Sequence, residues 1–222
     1  MGGPGRKVEY DLGAPVPDRG CGSCTLCCKL IGVTELEKPA GEWCKHCEVE
    51  KGCKIYAGRP ETCSAWHCGW RMLPFLSDVW YPANARMVVN VIRKENHLLM
   101  VCCVDPGMRN RWKEPPWNER LRRLARVGME KADPIFLIHV DDGQRWIMLP
   151  NGPVKWAPHT VPSPMGESEE GVIWKLFSFP SHQAAHQAVE QLGRKLKSPR
   201  VRAVLQNWAM INSIQQGEML EQ

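Results

Sequence analysis

The sequence predicts an α+β fold: a small cysteine-rich, metal-bound N-terminal segment packed on a strand-and-helix domain with C-terminal helices. Three observations carry that expectation. Nine of the eleven cysteines fall within 48 residues, between Cys21 and Cys68. Beyond Trp80, short β-branched runs alternate with a helical pattern. An apolar fraction of 43% and ten tryptophans supply material for a core, while 18 prolines and 19 glycines interrupt the chain often.

Taken in order, residues 1–19 are rich in Gly and Pro and read as a flexible arm. Residues 20–72 hold the cysteine cluster as a metal-binding domain. A small α+β domain follows over 75–150. Arg86–Arg93 and His97–Val104 are apolar, β-branched runs separated by Lys94-Glu95-Asn96, the pattern of a hairpin. Pro115-Pro116-Trp117-Asn118 then leads into a helix over Glu119–Lys131, with Asn118 as its cap and Leu121, Leu124, Ala125 and Met129 facing inward. Pro134–Val140 and Arg145–Leu149 flank Asp141-Asp142-Gly143-Gln144, a second hairpin with an Asp-Gly turn. Residues 151–170 contain four prolines and read as a linker. The segment 171–222 reads as helical, two helices divided at Ser198-Pro199, the first burying Ala185, Val189, Leu192 and Leu196 and the second Val201, Val204, Leu205 and Trp208.

Composition narrows the function classes. The N-terminus, Met1 to Arg6, lacks the apolar run of a signal peptide, and Arg6 stands where a myristoylation signal has Ser or Thr. The longest apolar stretches fall far short of the roughly 20 residues a membrane span needs, so no membrane is expected. The expected location is the reducing cytoplasm. There, an odd number of cysteines points to metal ligation instead of a disulfide framework. A net charge of +5 is too small to imply nucleic acid. An unidentified protein partner remains compatible with the basic helix and the C-terminal helices.

The cysteines run Cys21-x2-Cys24-x2-Cys27-Cys28, then Cys44-x2-Cys47, Cys53, Cys63 and Cys68. A thiolate is a soft, charged donor, and two cysteines spaced by two residues pinch one ion from a single backbone turn. Were Cys21–Cys28 helical, its four thiols would share an arc of about 120°, and a one-sided arc cannot surround an ion. Further ligands must come from downstream. Cys24-x2-Cys27 and Cys44-x2-Cys47, sixteen residues apart, match the two-knuckle pattern of a structural zinc site, although Cys21 with Cys24 makes the same pinch. The remaining cysteines suffice for a second centre. His46 and His67 are eligible nitrogen donors whose simpler reading is outside the coordination sphere, and His67, between Cys63 and Cys68, is the better placed.

Iron competes with zinc. Cys21-x2-Cys24-x2-Cys27 reproduces three ligands of a bacterial ferredoxin run, but Cys28 follows at once where that run has three intervening residues and then Cys-Pro. Cys44 or Cys63 can close an iron–sulfur cluster from a distance, so zinc, iron and an iron–sulfur cluster all stay open. Thioredoxin-like exchange is disfavoured, because no βαβ pattern surrounds Cys21 or Cys44.

Cys21-Gly22-Ser23-Cys24-Thr25-Leu26-Cys27-Cys28, followed by Gly52-Cys53-Lys54-Ile55-Tyr56-Ala57-Gly58-Arg59-Pro60-Glu61-Thr62-Cys63, closely resembles the CxxCxxCC family of the YkgJ type, described as a zinc- or iron-chelating domain. The resemblance covers residues 20–72. It implies Cys21, Cys24, Cys27, Cys28, Cys53 and Cys63 as ligands, with Cys44 where relatives often have a cysteine and with Cys47 and Cys68 less firmly placed. It implies metal binding without a substrate.

Other features have plainer readings. Pro60 stiffens the approach to Cys63, and Arg59 is positioned to donate to thiolates or backbone carbonyls. Lys45, Lys51 and Lys54 read as solvated surface. Adjacent Cys102 and Cys103 point to opposite faces of a strand, as packed core thiols do. Asp141-Asp142 is turn chemistry. Arg109, Arg111, Lys113, Arg120, Arg122, Arg123, Arg126 and Lys131 read as a solvated helix face. Trp43, Trp66 and Trp70 are expected to wall off the metal centre. No catalytic constellation accompanies the cysteines, so an oxidoreductase activity rests on the cluster alone.

Overall fold

The computed structural model describes residues 13–94, 97–130, 135–139, 144–157, 159–168, 171–198, 202 and 205. The cysteine segment contains little regular structure, as its Gly, Pro and Cys content dictates. It holds one helical turn, α1 (Cys27–Leu30), a two-residue antiparallel ribbon of β1 (Cys47–Glu48) with β2 (Gly52–Cys53), and two short helices, α2 (Glu61–Ala65) and α3 (Gly69–Met72); a third, α4 (Pro82–Ala85), leads into the sheet. Cys21–Cys28 is not a single helical run. Gly22 adopts φ +52°, a left-handed conformation that glycine takes without steric cost, and helix begins only at Cys27.

Leu26, Leu30 and Ile31 anchor the segment in the core. At α3 the backbone itself lies on the sheet. A Cβ at Gly69 would stand 2.8 Å from Val89 Cγ1, so this approach admits no side chain.

The sheet has five strands in the order β3 (Met87–Lys94), β4 (His97–Val104), β5 (Ile135–His139), β6 (Arg145–Leu149), β7 (Gly152–Lys155). The two expected strand pairs form as antiparallel ladders, with Lys94 opposite His97 and His139 opposite Arg145. Their junction is parallel, Leu99 facing Ile135. A parallel neighbour needs a crossover, and the long connection containing α5 (Trp117–Glu130) supplies it. That helix starts one residue before the expected cap. Asn118 Oδ1 instead accepts from the Glu119 N–H at 2.7 Å. Leu121 and Ala125 are buried and Leu124 packs beside them. Arg123 and Arg126 are exposed, whereas Arg122 donates to the Pro150 carbonyl at 3.0 Å. Cys102 and Cys103 are buried, and burial pushes the Cys103 thiol up to about 12 and the Cys102 thiol higher still.

Two expectations are corrected here. Residues 151–170 are not a linker: they supply β7 and all of β8 (Thr160–Ser168), which pairs antiparallel with β9 (Gly171–Ser178). The segment 171–222 therefore begins with a strand and not a helix. Proline is tolerated in such an edge ribbon, and a register shift between Pro164 and Gly166 absorbs the irregularity. The second correction concerns the part of the expected arm that lies among the described residues, 1–12 being outside them. Residues 13–19 are fastened: the Val16 N–H donates to the Arg71 carbonyl at 2.7 Å, and the Arg19 guanidinium donates to the Trp70 and Leu73 carbonyls.

Helix α6 (His182–Lys195) is capped by the Ser181 hydroxyl, which accepts from the Ala184 N–H at 3.2 Å, and it buries Ala185 and Val189 as expected. Of the second expected C-terminal helix, only Arg202 and Leu205 lie among the described residues, and Leu205 is buried. The expected turn residues Glu95, Asn96, Asp141, Asp142 and Gly143, and the ends Lys131, Pro134 and Val140, lie outside the described residues, as does the side chain of Met129. One hydrophobic cluster runs from Leu26 through the sheet to Leu205, so the cysteine segment and the sheet share a core. Among the described residues no helix is long and apolar enough to cross a membrane.

Candidate metal centre

Two hydrogen-bonded turns shape the cysteine segment. The Cys24 N–H donates to the Cys21 carbonyl at 2.9 Å, and the Cys47 N–H donates to the Cys44 carbonyl at 2.9 Å. Each Cys-x-x-Cys is thus closed into the single turn its spacing suggests, and the first such turn is Cys21–Cys24, with Cys27 opening α1 instead. The Cys44 N–H donates to the Cys28 carbonyl at 2.9 Å, which brings the second turn to the first helix. Cys53 is carried opposite Cys47 by the β1–β2 register. Cys63 sits on α2, and Cys68 caps α3.

These elements line a cavity of about 370 Å³. Cys21, Cys24, Cys27, Cys28, Cys44, Cys53, Cys63 and Cys68 line it, together with His46 and His67. Cys47 does not face it. Its thiol instead hydrogen-bonds with Cys28 and Thr25. Among the described residues no three Cys, His, Asp or Glu side chains converge closely enough to enclose an ion, so the cavity gathers donors without fixing a coordination polyhedron.

The thiols fall into two electrostatic neighbourhoods. Cys68 senses Cys21 and Cys24, whereas Cys63 senses Cys28, Cys44 and Cys53. The adjacent pair Cys27-Cys28 joins the two sets, Cys27 sensing Cys21 and Cys24 as well as Cys28. Hydrogen bonding from Cys27, helped by Cys47 and Lys38 and opposed by burial, lowers the Cys28 thiol to about 6. The same bond, with burial, holds Cys27 well above its ordinary value, while burial first and the Cys28 charge second push Cys47 up to about 11. Burial likewise raises Cys24, Cys63 and Cys68. Within this hydrogen-bonded trio, Cys28 is thus the sulfur pushed toward thiolate while Cys27 and Cys47 are pushed toward thiol.

Positive charge reaches this cluster from residues the spacing did not single out. Lys38 is buried, and its ammonium donates to the Lys29 carbonyl at 3.1 Å, to the Pro39 carbonyl at 2.9 Å and to the Ile31 carbonyl. Burial lowers its pKa, opposed by the charges of Cys44, Cys28, Cys27 and Cys63. Arg71 Nε donates to the Arg19 carbonyl at 2.8 Å, and one of its terminal nitrogens stands 3.9 Å from Cys21 Sγ and 3.0 Å from His67 Nδ1. Burial, then Arg71 and Arg59, hold His67 below its ordinary pKa, and its Nδ1 lone pair accepts from Arg71, so the ring is free to ligate through that nitrogen only if Arg71 moves away. The His67–Arg71 spacing of four was visible in the sequence, but nothing there marked Lys38.

Other placements match expectation in part, Lys51 at the surface and Trp66 and Trp70 in the cavity wall among them. Arg59 lines the cavity with its guanidinium 3.9 Å from the Tyr56 ring centroid. Lys51 pairs with Glu48 at the surface. Trp66 and Trp70 wall the cavity, but Trp43 is 40% exposed and stacks with Lys29 instead. Tyr81, unmarked by the spacing, donates its hydroxyl to the Cys21 carbonyl at 2.6 Å. Trp66 Nε1 donates to the buried Asn90 side chain at 2.9 Å, which ties the cavity wall to β3. The donor set is soft sulfur with two imidazoles and two nearby cations, a chemistry suited to zinc or iron. Comparison of the chain with protein-family models, with curated proteins and with solved structures gives no match.

Proposed function

We propose that this protein binds zinc or iron through the thiolates of the cavity. The observation that carries the reading is that eight of the nine clustered cysteines line one cavity. Cys21, Cys24, Cys27 and Cys68 form one ligand set, and Cys28, Cys44, Cys53 and Cys63 the other, with Cys47 hydrogen-bonded to Cys28. When bound, such a metal provides a cross-link that a segment with little regular structure otherwise lacks. Lys38 and Arg71 moderate the excess negative charge of the thiolates. The resemblance of the cysteine spacing to the CxxCxxCC family supports the same conclusion. All eleven cysteines are free thiols, a state that suits a reducing cytoplasm.

One observation favours a second reading, an iron–sulfur redox protein. Four sulfurs about 2.3 Å from a single ion leave no room for a space of hundreds of cubic ångströms. The cavity, at about 370 Å³, has volume for a polynuclear centre. Metal analysis, acid-labile sulfide and a visible spectrum on protein purified without oxygen separate the two. Zinc in a colourless sample supports the first reading. Iron with matching sulfide and broad visible absorbance supports the second, and a metal-free protein rejects both.

A further inference from the structure

We propose a second, separate metal site, a surface site for one divalent zinc-like ion built from His159, His182 and His186. His182 and His186 are spaced by four on α6 and so share one helix face, the spacing by which helices present two imidazoles to a single ion. Their ring centroids are 6.5 Å apart. The third histidine comes from a different part of the chain. His159 precedes β8, and its ring centroid lies 6.3 Å from that of His182.

The backbone holds His159 there in two ways. Its carbonyl accepts from the Phe179 N–H at 2.9 Å, which ties it to the residues just before α6, and its φ is +59°, a conformation that L residues adopt rarely. Local strain of this kind concentrates at ligand sites. On the helix, Glu190 Oε1 stands 3.8 Å from His186 Nδ1. At that distance Glu190 is near enough to close onto Nδ1 as a hydrogen-bond partner when the rings move, which would leave the other nitrogen to the metal.

The rings do not enclose an ion as they stand. Metal–nitrogen bonds of about 2.0–2.1 Å in a tetrahedral arrangement put two imidazole centroids roughly 5 Å apart, so the His159–His182 and His182–His186 gaps must each close by roughly 1 Å. His182 and His186 are exposed, and rotation about their side-chain bonds is free to close it. Three neutral imidazoles with water in the fourth position match the ligand chemistry of zinc. Nothing in this site touches the cysteine cavity, so it stands whether or not the thiolates hold metal.

The test uses the full chain, labelled with nitrogen-15 at histidine, after zinc has been supplied until the cysteine thiols take up no more. Further zinc ions are then titrated while the imidazole nitrogen signals are followed. The signals of His159, His182 and His186 are expected to shift together and to saturate at one added equivalent. His159→Asn, which tolerates the left-handed backbone but removes the imidazole, and His186→Ala, at an exposed position, are each expected to weaken this binding by about tenfold or more. Unmoved histidine signals would overturn the proposal. So would a His159→Asn variant that binds as tightly as the parent chain, since the helical pair alone would then account for the uptake.

Discussion

Lys29 Nζ stands 2.8 Å from Asp105 Oδ1, joining the residue after the Cys27-Cys28 pair to the residue after β4. The Asp105 side chain is fully buried and also pairs with Arg86 and accepts from the Gly107 N–H. Two cations and a backbone donor thus compensate one buried carboxylate, and the cysteine segment is held to the sheet by charge as well as by Leu26 and Leu30. Removing one partner of such a buried set leaves uncompensated charge. Asp105→Asn is therefore expected to lower unfolding stability by about 3 kcal/mol at neutral pH, measured by denaturant titration. A loss under about 1 kcal/mol would place the pair among ordinary surface contacts.

The same residue sets a pH dependence. Burial raises the Asp105 carboxyl, but the Lys29 hydrogen bond, the Gly107 N–H and Arg86 outweigh it, and the net pKa is lowered. A folded-state pKa below the unfolded one contributes stability that is complete above the unfolded value, about 3.9, and is lost as pH falls through the folded value. Acid titration below about pH 4 is expected to destabilise the parent chain more steeply than Asp105→Asn. Parallel acid curves would remove Asp105 from the account.

Lys38 separates architecture from charge. Lys38→Met keeps the aliphatic stem but leaves three carbonyls without their donor and removes a cation beside Cys28 and Cys44. The expected result is a stability loss of about 2 kcal/mol together with faster loss of metal to a chelator. Parental metal retention in a destabilised Lys38→Met protein would confine Lys38 to an architectural role.

The contact of α3 with β3 predicts a steric effect with a partner-specific rescue. Gly69→Ala places a Cβ 2.8 Å from Val89 Cγ1 and is expected to cost about 1–3 kcal/mol. Val89→Ala removes the obstructing methyls, so the double variant is expected to be more stable than the sum of the two single losses by about 1 kcal/mol. Strict additivity in denaturant unfolding would contradict the close approach.

What the sequence made legible was local. Period-two runs marked β3 through β6, and the period of α5 marked Leu121 and Ala125 as buried, because these signals lie within a few residues of chain. The parallel junction of β4 with β5 was not legible, since which strand edges meet is decided by the crossover and not by either strand. Residues 151–170 misled because proline density marks loops in general, while an isolated edge ribbon accommodates Pro162 and Pro164 at little cost. In the candidate site, the cysteine spacing marked the lining residues. Lys38, Arg71 and Tyr81 escaped notice because tertiary packing, and not spacing, carries them to the thiols. Cys47 is the one clustered cysteine outside the lining, its thiol hydrogen-bonded to the lining residues Cys28 and Thr25.

Cys102 and Cys103 offer a control for that reading. Both are buried in the β4 core, and Cys102→Ala or Cys103→Ala is expected to cost about 1 kcal/mol while leaving the metal content of the purified protein unchanged. A loss of bound metal in either variant would extend the centre beyond the Cys21–Cys68 segment.

X-ray absorption at the metal edge, on protein purified without oxygen, tests the central claim most directly. Thiolate binding by the cavity predicts zinc or iron with a first shell dominated by sulfur at about 2.3 Å. A first shell of oxygen and nitrogen alone at about 2.0–2.2 Å would contradict it, because the metal would then lie outside the cysteine cavity.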